Sequence, residues 1–226
     1  MNTSVFSSCR IFEDIPDGQI EDLIALSNGV IKKFKKDEII IQTADTADEI
    51  SIILSGLVSV RKISESGNII EIGSKVPGDM IGEAAVFSKA HIYPCELTAE
   101  KETEIFTITR QGMLRVLSSN SKALENFLTE LSTQTFVLQS RIELLAHHGT
   151  AQRLASFLNM RSMMNGGTNT IEINGSMMKL STMLNVSRTT LHREVTELEK
   201  RGIISRNGKT ITIMDRNALQ RVIEKE

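Results

Sequence analysis

Between Leu124 and Leu145 the apolar residues advance in alternating steps of four and three, through Leu128, Leu131, Thr135, Leu138 and Ile142. No Pro or Gly interrupts the chain between Gly112 and Gly149. A seam of this period is one stripe of an α-helix, and roughly 28 residues of it span on the order of 40 Å. A water-exposed helix of that length needs an apolar partner along its side. The seam therefore predicts a parallel two-helix contact with a second copy of the chain, the alternative being packing against its own N-terminal domain.

What precedes the seam has a different period. Glu38-Ile-Ile-Ile-Gln42, Ile50-Ser-Ile-Ile-Leu54, Leu57-Val-Ser-Val60, Ile69-Ile-Glu-Ile72 and Ile105-Phe-Thr-Ile108 are short Ile/Val runs, separated by Ser55-Gly56, Ser66-Gly67-Asn68 and Pro77-Gly78-Asp79. Short β-branched runs with regular turn signals predict an all-β roll or sandwich, with a two-residue hairpin near Gly67-Asn68. The spacing of Ile20, Leu23 and Ile24 predicts a short helix from Pro16 to Leu26 ahead of the strands.

The tail from Gly149 to Glu226 reads as self-contained. It holds a helix over Ala151 to Met164, the loop Asn165 to Thr168 and a short strand from Thr170 to Ile173. Ser176 is placed to N-cap a helix carrying Leu180 and Leu184, and Ser187 to N-cap a second helix from Arg188 to about Lys200. Gly202 ends that helix, and Ile203-Ile204-Ser205 and Thr210 to Ile213 flank Arg206-Asn207-Gly208-Lys209, whose Asn-Gly is a hairpin signal. Helix, tight turn, helix and a two-stranded wing make a winged helix-turn-helix. The chain is thus predicted to be α+β, with a β-roll over residues 1–118, a dimerisation helix over 119–148 and the winged helix over 149–226.

Charge divides along the same line. Residues 1–148 hold 14 Lys and Arg against 21 Asp and Glu, whereas residues 149–226 hold 12 against 7. A basic module on an acidic one points to a polyanion met by the C-terminal part alone. Cys9 and Cys95, 86 positions apart, exclude a disulfide scaffold and a four-cysteine zinc or iron–sulfur site supplied by this chain. The longest run without Asp, Glu, Lys or Arg, Ile50 to Val60, has 11 residues, too few to cross a bilayer, and no secretory pattern opens the chain. A cytoplasmic protein is expected. No Gly-x-Gly-x-x-Gly, Walker loop, His-Glu-x-x-His or Gly-x-Ser-x-Gly occurs, so an enzymatic reading lacks support.

On the helix from Arg188, the residues Leu191, Val195 and Leu198 fall on one side and Arg188, Thr189, His192 and Arg193 on the other. That N-terminal face is what a recognition helix offers to base edges, and an arginine's paired donors match guanine O6 and N7. Ser187 and Thr190 sit at the helix start, where free N–H groups meet phosphate oxygens, and Arg206 and Lys209 on the wing are candidates for backbone contacts. His192 reaches either a phosphate or a base. A regulatory module that binds a partner protein instead of DNA is the rival reading.

The run Leu180-Ser-Thr-Met-Leu-Asn-Val-Ser-Arg-Thr-Thr-Leu-His-Arg-Glu-Val195, with the Asn-Gly-Lys wing after it, resembles the DNA-binding end of the Crp/Fnr transcription regulators. Gly78-Asp-Met-Ile-Gly-Glu83 followed by Ala84-Ala-Val-Phe87 is similar to that family's phosphate-binding cassette on a cyclic-nucleotide-binding β-roll, a double-stranded β-helix. The seam lies where the family has its dimer helix. The resemblance implies a homodimer on an inverted-repeat DNA site, RNA polymerase as a partner and a small-molecule effector held between β-roll and dimer helix.

The resemblance also bears on which effector. In the family's cyclic-AMP receptors a Gly-Glu pair is followed by an Arg-Ser pair that holds the cyclic phosphate. Counted from Gly82-Glu83, that second pair falls on Tyr93-Pro94, and two polar purine-reading positions fall on Leu138 and Gln139. Neither tyrosine nor proline replaces an arginine on an anionic phosphate. Cyclic AMP is therefore not the expected effector, and Gly82 and Glu83 are then structural. The expected cavity is lined by Glu83, Tyr93, Leu131, Thr135 and Leu138, with Thr135 either a ligand contact or a register-setting break. Haem on His91, Cys95, His147 or His148 and a Cys9–Cys95 thiol switch are the alternative sensors.

Overall fold

The computed structural model describes residues 4–63, 69–146, 149–173 and 177–224. A short helix α1 (Ser4–Ser7), a single 3-10 turn (Arg10–Phe12) and α2 (Asp17–Ser27) come first. Eight strands follow: β1 (Val30–Phe34), β2 (Ile39–Ile41), β3 (Glu49–Ser55), β4 (Val58–Ile63), β5 (Ile69–Lys75), β6 (Met80–Ile81), β7 (Glu96–Ala99) and β8 (Thr103–Thr109), with α3 (Glu83–Phe87) between β6 and β7. The chain then forms α4 (Arg110–Ser119), α5 (Ser121–Ala146) and α6 (Thr150–Met164). It ends with β9 (Thr170–Glu172), α7 (Met177–Met183), α8 (Arg188–Lys200), β10 (Ile204–Asn207), β11 (Thr210–Ile213) and α9 (Arg216–Glu224). Two compact units result, Met1–Thr133 and Gln134–Glu226, so the division falls inside α5.

The first unit is the expected roll. Two antiparallel four-stranded sheets have the orders β1-β8-β3-β6 and β2-β7-β4-β5. Because side chains alternate along a strand, β3 serves two cores. Ile50 and Ile52 pack with Phe106, Ile108 and the helices, while Ile53 packs with Val58, Ile81, Leu97 and Ile105 between the sheets. Helices α2 and α4 approach closely at Gly112, where a Cβ would lie 2.3 Å from the Ser27 carbonyl oxygen. Arg115 donates from Nε and Nη2 to the carbonyls of Leu26 and Ser27, both at 3.1 Å, satisfying the end of α2. The hairpin expected near Gly67-Asn68 lies outside the described residues.

The helical region after Arg110 is two helices. Thr109 caps α4 by accepting from the Gly112 N–H at 3.1 Å, and Asn120 caps α5 by accepting from the Ala123 N–H at 2.9 Å. The 26-residue α5 carries the seam, and it has two apolar faces. Ala123 and Phe127 are buried in the roll core with Leu131 packed against it, and Glu130 pairs with Arg10 at 2.8 Å. Leu124, Leu128, Leu138 and Ile142 are exposed, at 39%, 54%, 61% and 62%. Leu131, expected on the seam and in the effector cavity, therefore packs on the roll-facing side. Leu145 falls outside the residues whose side chains are described.

The second unit contains the winged helix, with two corrections. The wing has three strands, because β9 pairs with β11 in the order β10-β11-β9. Its hairpin loop is Gly208-Lys209, since Asn207 pairs with Thr210, and Gly208 takes the positive φ of 59°. The core comprises Leu154, Leu158, Leu180, Leu184, Leu191, Val195, Leu198 and the inward residues of the wing. The C-terminal α9, absent from the sequence expectation, closes that core with Leu219 and Val222. Ser176 as an N-cap lies outside the described residues. Among the described residues no helix is long and apolar enough to cross a membrane.

Candidate nucleic-acid interface and effector cavity

The helix at Arg188 is built from its cap inward. Ser187 is extended (φ −69°, ψ 149°), and its Oγ accepts from the Thr190 N–H at 3.1 Å. The same Oγ lies 2.7 Å from Thr190 Oγ1 and 3.0 Å from Thr189 Oγ1, so the three hydroxyls form one network at the helix start. Leu191, Val195 and Leu198 are buried, and Arg188, Thr189, His192 and Arg193 are exposed on the opposite side. Burying three such side chains stabilises the helix against the module by about 1.5–3 kcal/mol each. The arginines are thereby presented on a fixed face.

The turn before this helix has a brace that the sequence reading missed. Asn185 adopts a left-handed φ of 52°, and Arg153 on α6 donates from Nη1 to the carbonyls of Leu184 and Asn185, each at 3.1 Å. Nothing in the local pattern around Arg153 signals this contact, which arises only when α6 packs across the turn. Arg216 acts similarly at the far side, donating to Asn169 Oδ1 and Ser162 Oγ at 2.7 Å and to the Gly167 carbonyl.

The wing residues differ in freedom. The Arg206 N–H donates to Glu199 Oε1 at 2.8 Å and its Nε donates to the Gly208 carbonyl at 3.1 Å, so its guanidinium holds the hairpin loop. Lys209 is exposed at that loop. Arg193 pairs with the adjacent Glu194 at 3.1 Å, although its side chain remains 75% exposed.

In the roll, Gly82 and Glu83 open α3. Gly82 has φ 87°, and a Cβ there would lie 2.9 Å from the Glu49 carbonyl oxygen and 3.0 Å from the Tyr93 ring. Only glycine fits that position. The Tyr93 hydroxyl donates to the Glu49 carbonyl at 2.5 Å, and burial pushes its ionisation up. Glu83 is 6% exposed, with Lys75 Nζ at 4.0 Å.

These residues line a cavity of about 170 Å³ whose other walls include Val60, Met80, Ala84, Pro94, Cys95 and Leu97. Leu131 is not among its lining residues, which corrects that residue of the expected cavity, and Thr135 and Leu138 belong to the second unit. Leu131 packs on the roll core, while Thr135 and Leu138 are solvent-exposed. Among the described residues no arginine lines the cavity, and Lys75 is the one cation on its wall. A wider groove of about 550 Å³ shares Tyr93 as a wall, and its carboxylates Glu49 and Asp48 are already engaged by Lys32 at 2.5 Å and His91 at 2.9 Å.

The described residues of the alternative sensors lie in different settings. Cys9 is buried in the roll core, and burial pushes its thiol up to about 12. Cys95 borders the small cavity. His91 sits against Asp48, and His147 and His148 lie outside the described residues. Among the described residues no three His, Cys, Asp or Glu side chains are grouped to hold a metal ion.

Residues 31–120 match the cyclic nucleotide-binding domain family, and residues 152–222 match the Crp-like helix-turn-helix domain. The chain is 24% identical over 191 residues to the cAMP-activated global transcriptional regulator CRP of Pasteurella multocida, covering 83% of this chain and 91% of that protein. It is 26% identical over 205 residues to the anaerobic regulatory protein of Haemophilus influenzae, covering 88% and 79%. Among solved structures, the catabolite activator protein of Thermus thermophilus superposes with a TM-score of 0.56 over 95% of this chain and 98% of that chain, at 15% identity, a likeness of fold.

Proposed function

The chain belongs to the Crp/Fnr family of DNA-binding transcription regulators, and from that premise we propose that it acts as a homodimer on an inverted-repeat DNA site under the control of a small molecule other than cyclic AMP. The observation that carries this reading is the exposed face of α8, with Arg188, Thr189, His192 and Arg193 held over a buried Leu191, Val195 and Leu198. Arg188 and Arg193 read base edges, whereas Ser187, Thr190 and Lys209 lie against phosphates. Thr189 meets a thymine methyl or a mixed set of edges. Two-fold symmetry sets the two recognition helices about one helical turn, or a multiple of it, apart on one face of the duplex.

The functional parts are the roll over residues 1–118, the dimer helix over 119–148 and the DNA-binding module over 149–226. The exposed Leu124, Leu128, Leu138 and Ile142 support the dimer contact, since a second copy would remove that surface from water. RNA polymerase is the further partner expected of a regulator of this family. Anisotropy titrations of the full chain on genomic fragments, repeated across salt concentrations, test the DNA-binding reading. Sequence-selective binding to inverted repeats with a steep salt dependence is expected, and weak, sequence-blind binding would overturn it.

The effector assignment rests on the small cavity. Its volume of about 170 Å³ lies below the roughly 300–1,000 Å³ of ordinary ligand pockets. Lys75, on its wall, already faces Glu83. Tyr93 occupies the place where an anionic phosphate would need an arginine, and its hydroxyl is committed to the Glu49 carbonyl. Millimolar cyclic AMP should neither raise the melting temperature nor strengthen DNA binding, and saturable micromolar binding by calorimetry would sink the assignment.

A further inference from the structure

Helix serines in this protein ordinarily satisfy their own hydroxyls. Ser27, Ser119 and Ser181 donate to the carbonyl three residues back, at 2.6, 3.0 and 2.8 Å. Ser156, in the middle of α6, makes no such bond. Its Oγ is closed off from solvent and has no hydrogen-bond partner. A buried hydroxyl without a partner is costly, and a native site that keeps one has a use for it.

Ser156 is one of the residues that border a cavity of about 310 Å³ within the second unit, enclosed by residues 136–140 of α5 together with α6 and α9. Phe136, Met160, Met163 and Ile223 supply apolar walls, and Asn159 and Gln220 supply neutral amides. Among the described residues none of those lining it is charged. Phe136 and Met163 leave 39% and 58% of their surface open, so apolar area is held ready at the mouth. The volume falls at the lower end of the range for small-molecule pockets, about 300–1,000 Å³.

We propose that this cavity is a second small-molecule site, separate from the roll cavity, for a neutral, mostly apolar molecule carrying a carbonyl or amide. The uncharged lining disfavours an ion, whose desolvation nothing there would offset. The Phe136 ring and the two methionines provide a surface that adapts to a flat or branched apolar body. A rotation about the Ser156 side-chain bond turns its Oγ toward the cavity, where the ligand carbonyl accepts from it, and the amides orient the rest of its polar edge. Seated there, the molecule braces residues 136–140 of α5 against the helices of the winged-helix module.

The test is a fluorine NMR titration of the full chain with 4-fluorobenzamide, a ring bearing one amide, in the absence of DNA. The readout is therefore independent of the DNA-binding reading. Saturable line broadening is expected for the natural chain. Ser156→Ala should weaken binding about three- to tenfold while leaving the melting temperature unchanged or raised, because it removes an unsatisfied hydroxyl. Met163→Glu, at an exposed position that does not threaten folding, should abolish binding by placing a charge at the mouth. Absence of saturable binding at low-millimolar probe, or wild-type affinity in both variants, would overturn the proposal.

Discussion

The roll and the winged-helix module handle charge in opposite ways. In the roll, cations are matched to neighbouring carboxylates: Lys32 to Glu49, Lys33 to Glu104, Arg61 to Glu100 and Arg10 to Glu130, at 2.5 to 2.8 Å. In the module, Arg188 and Lys209 are exposed and have no ion-pair partner among the described residues. Several cations of the acidic half are thus taken up internally, whereas Arg188 and Lys209 of the basic half are left open to something anionic. Exposed pairs of the roll's kind add little stability, with a median of about 0–1 kcal/mol. Their effect is to leave the recognition face as the place where a long polyanion is attracted.

The sharpest way to break that contrast is to separate the two copies. Leu128→Asp combined with Leu138→Asp changes only side chains that are exposed in the single chain. The double variant should remain folded, run as a monomer in light scattering and lose roughly a hundredfold or more in affinity for an inverted repeat, since two linked contacts become one. A dimer that survives would place the contact elsewhere. Leu131→Asp should behave differently and unfold the roll, because Leu131 packs on its core.

A smaller effect tests the open half directly. Arg188→Ala should cost about 1–3 kcal/mol on the preferred site and relax selectivity at one base pair, whereas Lys209→Ala should weaken all sequences alike and reduce the salt slope by about one unit. Equal losses for Arg188→Ala on preferred and scrambled duplexes would make Arg188 a phosphate contact.

The smallest effect belongs to the acidic half. Cys9, pushed from 9.0 up to about 12 by burial, and Tyr93, also raised by burial, stay protonated in the fold after their unfolded counterparts ionise. Above about pH 9 the unfolded chain binds fewer protons than the folded one, so stability falls as pH rises toward the folded values. The melting temperature should decline on that alkaline limb, and Cys9→Ala should flatten the decline. At neutral pH a thiol reagent should modify Cys95 before Cys9, and the reverse order would contradict the burial of Cys9.

Elements governed by local chemistry were legible in the residues themselves. The start of α8 at Arg188 follows from the Ser187 cap, and the roll follows from β-branched runs between turn signals. What depends on tertiary packing was not. Ala123 and Phe127 stand next to Leu124 and Leu128, and a heptad pattern alone does not say which stripe meets the roll and which meets water. Asn207-Gly208 marked a hairpin within Arg206–Lys209, yet Arg206 and Asn207 join the β10–β11 ladder and leave only Gly208-Lys209 as the loop. Arg153 bracing the turn, the composition of the small roll cavity and the unsatisfied Ser156 all join residues distant in sequence, so no spacing rule announces them.

The junction of Gly82, Tyr93 and the Glu49 carbonyl has a consequence for how this pocket can evolve. Replacing Tyr93 by arginine, the single step toward gripping an anion, would strip the Glu49 carbonyl of its hydroxyl donor and bring a charge beside the Lys75–Glu83 pair. A compensating side chain on Gly82 is barred by the same carbonyl and ring. Groups in contact are not expected to mutate additively. A lineage carrying this junction reaches a new ligand preference only through coordinated changes, so its ligand choice is held in place by history as well as by fit.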